Sequence, residues 1–147
     1  MQIKIANLFP IVDAKGEKMN RGETVTMFND MCLLAPATLI DKSIGWLGED
    51  AKSVTARFSN GGNTISAKLL FGEDGELINF ISEDRYYSPS GKVYLSYPWS
   101  TPVHGYREKE GRMVPTTAGA VWHTPYGEFE YARFNLSEIR YNLHGSE

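Results

Sequence analysis

The sequence predicts a mainly β fold of the α+β class, in which a curved antiparallel β-meander or half-barrel wraps one main helix near the amino terminus. Turn-forming residues recur along the chain after residue 50, and the segments between them alternate apolar and polar side chains with a period of two. One stretch, Gly22 to Asp41, has the character of a long helix. The 147 residues suit a single domain, with residues 143–147 expected to form a flexible tail.

The amino-terminal stretch, residues 2–12, is predicted to form a strand. Only Lys4 and Pro10 would protect its free edge, and an unpaired edge favours pairing with another chain. We therefore expect a homodimer formed through this edge strand. The stretch lacks the basic segment, apolar run and cleavage site of a secretory signal. The sequence does not indicate a compartment.

The main helix is predicted at about residues 21 to 35. Asn20 is the predicted cap, and Glu23 can return a hydrogen bond to the N–H of the cap residue. Pro36 limits the helix at its other end and can start a short second turn through Ile40. The longest apolar run, residues 31–40, is about half the length that a bilayer-spanning helix requires. No transmembrane segment is therefore expected.

The helix carries two apolar stripes, which predict burial on most of its circumference. A flat sheet covers one face of a helix, so the second stripe predicts a sheet that curls around the helix, a partner, or an apolar ligand. The single cysteine excludes an intramolecular disulfide and is predicted to be a small buried hydrophobe. The first stripe is Val25, Phe28 and Cys32, and the second is Met27, Met31 and Leu34.

Five turn signals predict chain reversals at residues 60–63, 72–76, 88–92, 110–112 and 124–128. The register after the second turn has two alternatives. A two-residue turn at Asp74-Gly75 places Phe80 and Asp84 on the face of Leu69, whereas a three-residue loop places Leu77 and Arg85 there. The predicted strands span residues 54–59, 64–71, 77–87, 93–99, 103–108, 113–123 and 129–141.

Four phrases of this chain are similar to segments of a bacterial family of domains of unknown function: NDMCLLAPATLID, GELINFISEDRYY, YPWSTPV and GEFEYARFNLSEIRYN. The resemblance covers about residues 3 to 142. Members of that family are usually longer at the amino terminus, so the chain resembles their carboxy-terminal part. The architecture is also loosely similar to the half-barrel of periplasmic lipoprotein carriers (LolA/LppX-like), which wraps helices and an apolar cavity. That likeness concerns the fold alone.

The motifs that carry chemistry are sparse. The segment Glu83-Asp84-Arg85 suits either a polar ligand group or a structural ion pair at a strand end. His104 and His123 lack metal-ligand spacing, and nucleophile-elbow, P-loop and dinucleotide motifs are absent. We therefore expect neither catalysis nor a metal or other cofactor. A net charge of −3 leaves no basic field for phosphate contacts, so nucleic acid is not an expected partner.

The strands are rich in tyrosine and tryptophan, which predicts core packing for most of these rings and a pocket wall for a subset. The predicted pocket lies at the mouth between helix and sheet, bordered by Trp99 and His104. We expect noncatalytic binding of an apolar small molecule or lipid there; the alternative is a structural or protein-interaction module. The candidate ligand-binding residues are Phe28, Met31, Phe80, Asp84, Arg85, Trp99, His104 and Trp122.

Overall fold

A computed structural model describes residues 16–141 of the chain. The strand predicted for residues 2–12 and the tail predicted for residues 143–147 lie outside the described residues. Within them, strands predominate. The expected antiparallel meander with one long helix is confirmed.

The helix, α1, spans Glu17–Leu34 and begins earlier than predicted. The carbonyl of Gly16 accepts hydrogen bonds from the backbone N–H groups of Met19 and Asn20, so the prediction of Asn20 as the cap is wrong. The residues Glu17 to Met19 are strong helix formers and extend the helix past Asn20. The Asn20 carbonyl instead accepts a hydrogen bond from the Thr24 hydroxyl at 2.8 Å, inside the helix.

The predicted end of the helix is confirmed. α1 ends at Leu34, and a short 3₁₀ helix, Pro36–Ile40, begins at the proline. Proline lacks an N–H group and restricts the residue before it, which stops an α-helix but suits the first turn of a new one. None of the helices in residues 16–141 is long and apolar enough to cross a membrane.

Seven antiparallel strands form the main sheet. They are β1 (Ile44–Asp50), β2 (Ser53–Asn60), β3 (Asn63–Phe71), β4 (Leu77–Ser82), β7 (Trp99–His104), β10 (Thr117–Thr124) and β11 (Gly127–Asn135), in that spatial order. Two hairpins interrupt the meander: β5 (Tyr86–Tyr87) with β6 (Leu95–Ser96), and β8 (Arg107–Lys109) with β9 (Arg112–Val114). The sheet is not closed into a barrel, and the half-barrel remains a prediction.

All five predicted turns fall at chain reversals between paired strands. The clearest joins β2 to β3, where Asn60 lies opposite Asn63. The two residues between them, Gly61 and Gly62, have φ angles of +55° and +82°. A two-residue hairpin turn of this kind needs positive φ at both central positions, which glycine adopts without a steric penalty.

Some strand boundaries differ from the prediction. The predicted strand at residues 93–99 is wrong, because β6 is confined to Leu95–Ser96 and the next sheet strand begins at Trp99. The last strand ends at Asn135 rather than at residue 141. Strand β1 was not predicted, since its sequence, IGWLGED, contains two glycines and lacks a regular apolar alternation.

Helix α1 packs on one face of the sheet, which we call the inner face. Phe28 is fully buried there, stacked on Phe58 with ring centroids 5.0 Å apart. Val25 and Cys32, the other members of the first stripe, are also buried, whereas Met27 of the second stripe is 46% exposed. Met31 and Leu34, the other members of the second stripe, are half-buried and pack against this core, so the helix buries more than one stripe.

The observed pairing of β3 with β4 agrees in part with each of the two predicted registers, the one set by a two-residue turn and the one set by a three-residue loop. Phe80 pairs with Leu69, as the two-residue turn predicts. A β-bulge between Leu70 and Phe71 then lets Leu77 pair with Phe71, and both Phe80 and Leu77 are buried. One extra residue changes the alternation of side chains between faces, which explains how both join the core.

Candidate functional site

A row of aromatic side chains crosses the inner face from the helix toward strand β7. The Phe28 and Phe80 rings meet edge to face at 5.8 Å, and the Phe80 and Trp99 rings do so at 6.3 Å. All three side chains are at most 3% exposed. Aromatic pairs prefer this geometry, and here it fills the interface between helix and sheet with side chains.

Arg85 lies in the segment after β4, at the end of this row. Its guanidinium carbon is 4.4 Å from the ring centroid of Trp99 and 5.9 Å from that of Trp122. Both distances are within the range of cation–π attraction. The structure thus joins five of the predicted site residues into one connected cluster: Phe28, Phe80, Arg85, Trp99 and Trp122.

Arg85 and Asp30 are electrostatically coupled. Burial lowers the pKa of the Arg85 guanidinium, and the Tyr131 hydroxyl and the Asp30 carboxyl act in the opposite direction. Burial also raises the pKa of Asp30 to about 6, against the attraction of Arg85. Among the described residues, no carboxylate lies within ion-pair distance of Arg85. Its contacts are instead the two tryptophan rings and the Tyr131 hydroxyl.

Tyr131 connects the tryptophans to the last strand of the sheet. Its hydroxyl accepts a hydrogen bond from Nε1 of Trp99 at 3.1 Å, and its ring stacks on Trp122 with centroids 6.4 Å apart. Tyr131 occupies a β-bulge, where the pairing of β10 with β11 shifts by one residue. Tyr131 follows Phe129 by two residues and so shares its inner face by strand alternation, and the bulge keeps the next residue, Ala132, on that face as well.

An open groove lies next to this cluster, between the β5–β6 hairpin and the β10–β11 hairpin. It has a volume of about 380 Å³. Its walls meet the cluster through Tyr87, which contacts Trp122 at 5.4 Å, and through Phe129, which contacts Tyr131 at 6.5 Å. We call it the aromatic groove, and its lining residues are Tyr87, Leu95, Tyr97, Thr124, Tyr126, Gly127, Glu128 and Phe129.

Two further predicted site residues have structural contacts. The Asp84 carboxylate accepts hydrogen bonds from the Arg21 guanidinium of α1 and from the Ser66 backbone N–H of β3, the latter at 2.7 Å. Asp84 thus links the helix to the sheet. Of the two roles predicted for residues 83–85, a polar ligand group or a structural ion pair, this contact is the structural ion pair. Met31 is half-buried and packs against the hydrophobic core. Neither residue lines the aromatic groove.

His104 is not brought together with the other predicted residues. It lies five positions after Trp99 on the same strand, so the two side chains are on opposite faces of the sheet. His104 is exposed on the outer face, near Glu130. The predicted pocket mouth bordered by both Trp99 and His104 does not form.

The outer face holds a polar row that the sequence did not reveal. Ser100 Oγ lies 2.7 Å from Nε2 of His123, and His123 Nδ1 lies 3.3 Å from a Glu128 carboxylate oxygen. This order of groups matches that of a nucleophile, a base and an orienting carboxylate. Ser100 is only 1% exposed, however, so a substrate has no access to its hydroxyl. The row instead links strands β7, β10 and β11.

Other reactive groups offer no alternative centre. Cys32 is buried, and burial raises the pKa of its thiol to about 12, which keeps it protonated at neutral pH. In residues 16–141, no group of three or more histidine, cysteine, aspartate or glutamate side chains is arranged to hold a metal ion.

Comparison with known proteins yields one match. No curated protein and no solved structure matches the chain significantly, and the likeness to lipoprotein carriers stays a prediction about architecture. A sequence model of a family of unknown function (DUF6544) matches residues 1–134 of the 147. That range contains the first three phrases that suggested a family of this kind, and the expected membership is confirmed. The chain belongs to the family of unknown function DUF6544.

Proposed function

We propose that this protein is a noncatalytic binding protein for an apolar small molecule or acyl chain, which it takes up in the aromatic groove. One observation carries the proposal: an open space of about 380 Å³ with four aromatic side chains and a leucine in its lining. Small-molecule sites in proteins are concave, mostly apolar and about 300–1,000 Å³ in volume.

The groove suits a ligand better than the interface between helix and sheet. Phe28 and Phe80 are fully buried and in direct contact, so a ligand there would have to displace core side chains. The groove requires no such displacement, because it is open to solvent. The proposed binding position therefore differs from the one expected from the sequence.

The wall of the groove is supported from behind. Tyr87 contacts both Tyr97 and Trp122, and Trp122 also lies against Arg85 and Tyr131. Rings that are held in place by their neighbours lose little conformational entropy when a ligand binds. A ligand that buries about 300 Å² of apolar surface gains about 7 kcal/mol, which alone corresponds to a Kd of roughly 10 μM, and the costs of association weaken the affinity below that.

The proposal is tested by titrating the protein with an environment-sensitive fluorescent fatty-acid probe. We expect saturable binding to one site and displacement by unlabelled fatty acid. Leu95→Trp should weaken binding at least tenfold, because the larger ring fills the groove. Val93→Trp is the matched control: Val93 is exposed near the same hairpin but does not line the groove, and this substitution should change affinity less than twofold.

Two results would count against the proposal: the absence of saturable binding, or an equal loss of binding in both variants. The alternative function, a module that binds another protein without a small-molecule ligand, is favoured by a different observation. Strand β11 lies at the end of the sheet, and among the described residues its only strand partner is β10. That alternative predicts an assembly that carries no extractable ligand.

A further inference from the structure

The β5–β6 hairpin forms one wall of the aromatic groove, although it does not belong to the main sheet. Within the described residues it is a separate two-stranded sheet, in which Tyr86 pairs with Ser96 and Tyr87 pairs with Leu95. A two-stranded hairpin is at best marginally stable by itself. Its position therefore depends on the side chains that attach it to the rest of the protein.

The two faces of this hairpin make different contacts. Tyr87 and Leu95 line the groove, and the Tyr87 ring lies against Trp122. Successive side chains of a strand point to opposite faces. Tyr86 and Tyr94, each one position earlier in the chain, therefore lie on the face away from the groove, and neither lines it.

The rings of Tyr86 and Tyr94 receive a cation from the helix. Nζ of Lys18, the second residue of α1, lies 5.2 Å from the ring centroid of Tyr86 and 5.3 Å from that of Tyr94. Both distances are within the range of cation–π attraction. The two tyrosines are half-buried, whereas Lys18 is exposed. This contact connects the hairpin to the first turn of α1.

We infer that Lys18 is a positioning residue for the aromatic groove, because its contact with Tyr86 and Tyr94 keeps the β5–β6 hairpin in place as the groove wall. Lys18 itself does not line the groove. Without the contact, the hairpin opens locally more often, and a ligand has to order it on binding, which lowers affinity. The inference rests on the proposed function, since it concerns the affinity of the same groove.

The test compares Lys18→Met with Lys18→Arg. Methionine keeps an unbranched apolar side chain but lacks the charge, whereas arginine keeps the charge and stacks on aromatic rings. Lys18→Met should bind the fluorescent fatty-acid probe about fivefold more weakly than the wild type, and Lys18→Arg within about twofold of it. Hydrogen–deuterium exchange of residues 86–97 should be faster in Lys18→Met and unchanged in Lys18→Arg.

Lys92→Met is the matched control. Lys92 is exposed in the turn of the same hairpin and, in residues 16–141, lies over no aromatic ring. Its loss of charge should change probe affinity less than about twofold. Tyr94→Leu removes one of the two rings and should also weaken binding. Adding it to Lys18→Met should weaken binding less than about twofold further, because both changes remove the same contact.

Probe affinity or hydrogen exchange that does not respond to Lys18→Met overturns the inference, as does Lys18→Arg binding as weakly as Lys18→Met. An equal loss of affinity in Lys92→Met overturns it too. In each of these cases the wild type still binds the probe, so the proposed function stands. A wild type that binds no probe refutes the proposed function, and this inference with it. Thermal melting of all variants checks that the fold is intact.

Discussion

The guanidinium carbon of Arg85 lies 4.4 Å from the ring centroid of Trp99, so a half-buried positive charge is held against an aromatic face. The neighbouring Trp122 ring is 5.9 Å away. In the part of the chain that the structure describes, no carboxylate forms an ion pair with this cation. The contact links the filled core on one side to the wall of the aromatic groove on the other.

Arg85→Lys should destabilise the protein more than Arg85→Met. Lysine keeps a charge in a desolvated site but loses the planar group that stacks on the rings, whereas methionine removes the charge and keeps the apolar contact. We expect a cost of about 2 kcal/mol for lysine and less than about 1 kcal/mol for methionine. Urea denaturation measures both. The reverse order would show that the charge itself stabilises the fold.

Phe28→Ala should lower the free energy of unfolding by about 3 to 5 kcal/mol, because it leaves a cavity between two rings that cannot fully collapse. Met27→Ala is the control on the same helix, and its side chain is 46% exposed. That change should cost less than about 1 kcal/mol. Equal, small effects of both substitutions in thermal melting would contradict the packing of α1 on the sheet.

Asp30 should make stability depend on pH. Its pKa in the folded protein is about 6, above its ordinary value of 3.8, so the folded state binds this proton more tightly than the unfolded state does. The protonated Asp30 carboxyl therefore contributes its full stabilisation of the folded state below about pH 4. This stabilisation is lost as the pH rises to 6, by at most about 3 kcal/mol. Asp30→Asn should remove this loss and stabilise the protein at pH 7 to 8.

Asp41→Asn provides a control of opposite sign, because hydrogen bonds from Ser43 lower the pKa of Asp41. The small stabilisation that the Asp41 carboxylate gives the folded state should be present at neutral pH and lost in acid. Melting temperatures measured from about pH 2 to 8 cover both windows and distinguish the two variants. A pH profile of Asp30→Asn that coincides with that of the wild type would contradict the burial of this carboxyl.

Ser100 should behave as a structural residue and not as a nucleophile. Ser100→Ala removes the hydrogen bond to His123 and should cost about 1 kcal/mol of stability. A fluorophosphonate probe should leave the wild-type protein unlabelled, because the hydroxyl is buried. Mass spectrometry that finds stoichiometric modification of Ser100 would instead show that the polar row of the outer face is reactive.

Local chemistry explains which parts of the fold were predictable. The reversal at Gly61-Gly62 and the stop at Pro36 follow from the backbone preferences of these residues, which act without distant contacts. The start of α1 was mispredicted because Asn20 has the chemistry of a cap but lies within a run of helix formers. Whether Asn20 caps the helix or lies inside it depends on the helix propensity of the whole segment and on how that segment packs.

The candidate site was predictable only in part. Burial of Phe28 follows from helical periodicity, whereas burial of Phe80 follows from only one of the two possible registers. Arg85, Trp99 and Trp122 were candidates by residue type. Their assembly depends on pairing between distant segments. Tyr131 shares the face of Phe129 by strand alternation, but no residue in the segment signals the bulge that also brings Ala132 to the core. The groove likewise depends on two hairpins that meet only in the folded chain.

Photo-crosslinking shows where on the protein the ligand binds. The purified protein is irradiated with a diazirine-bearing fatty acid, and the labelled peptides are identified by mass spectrometry, with unlabelled fatty acid as competitor. We expect label that competitor removes on the groove-lining residues Leu95, Tyr97, Thr124 and 126–129, and loss of that label in Leu95→Trp. Label concentrated on α1 and strands β2 to β4, or no label that competitor removes, would contradict it.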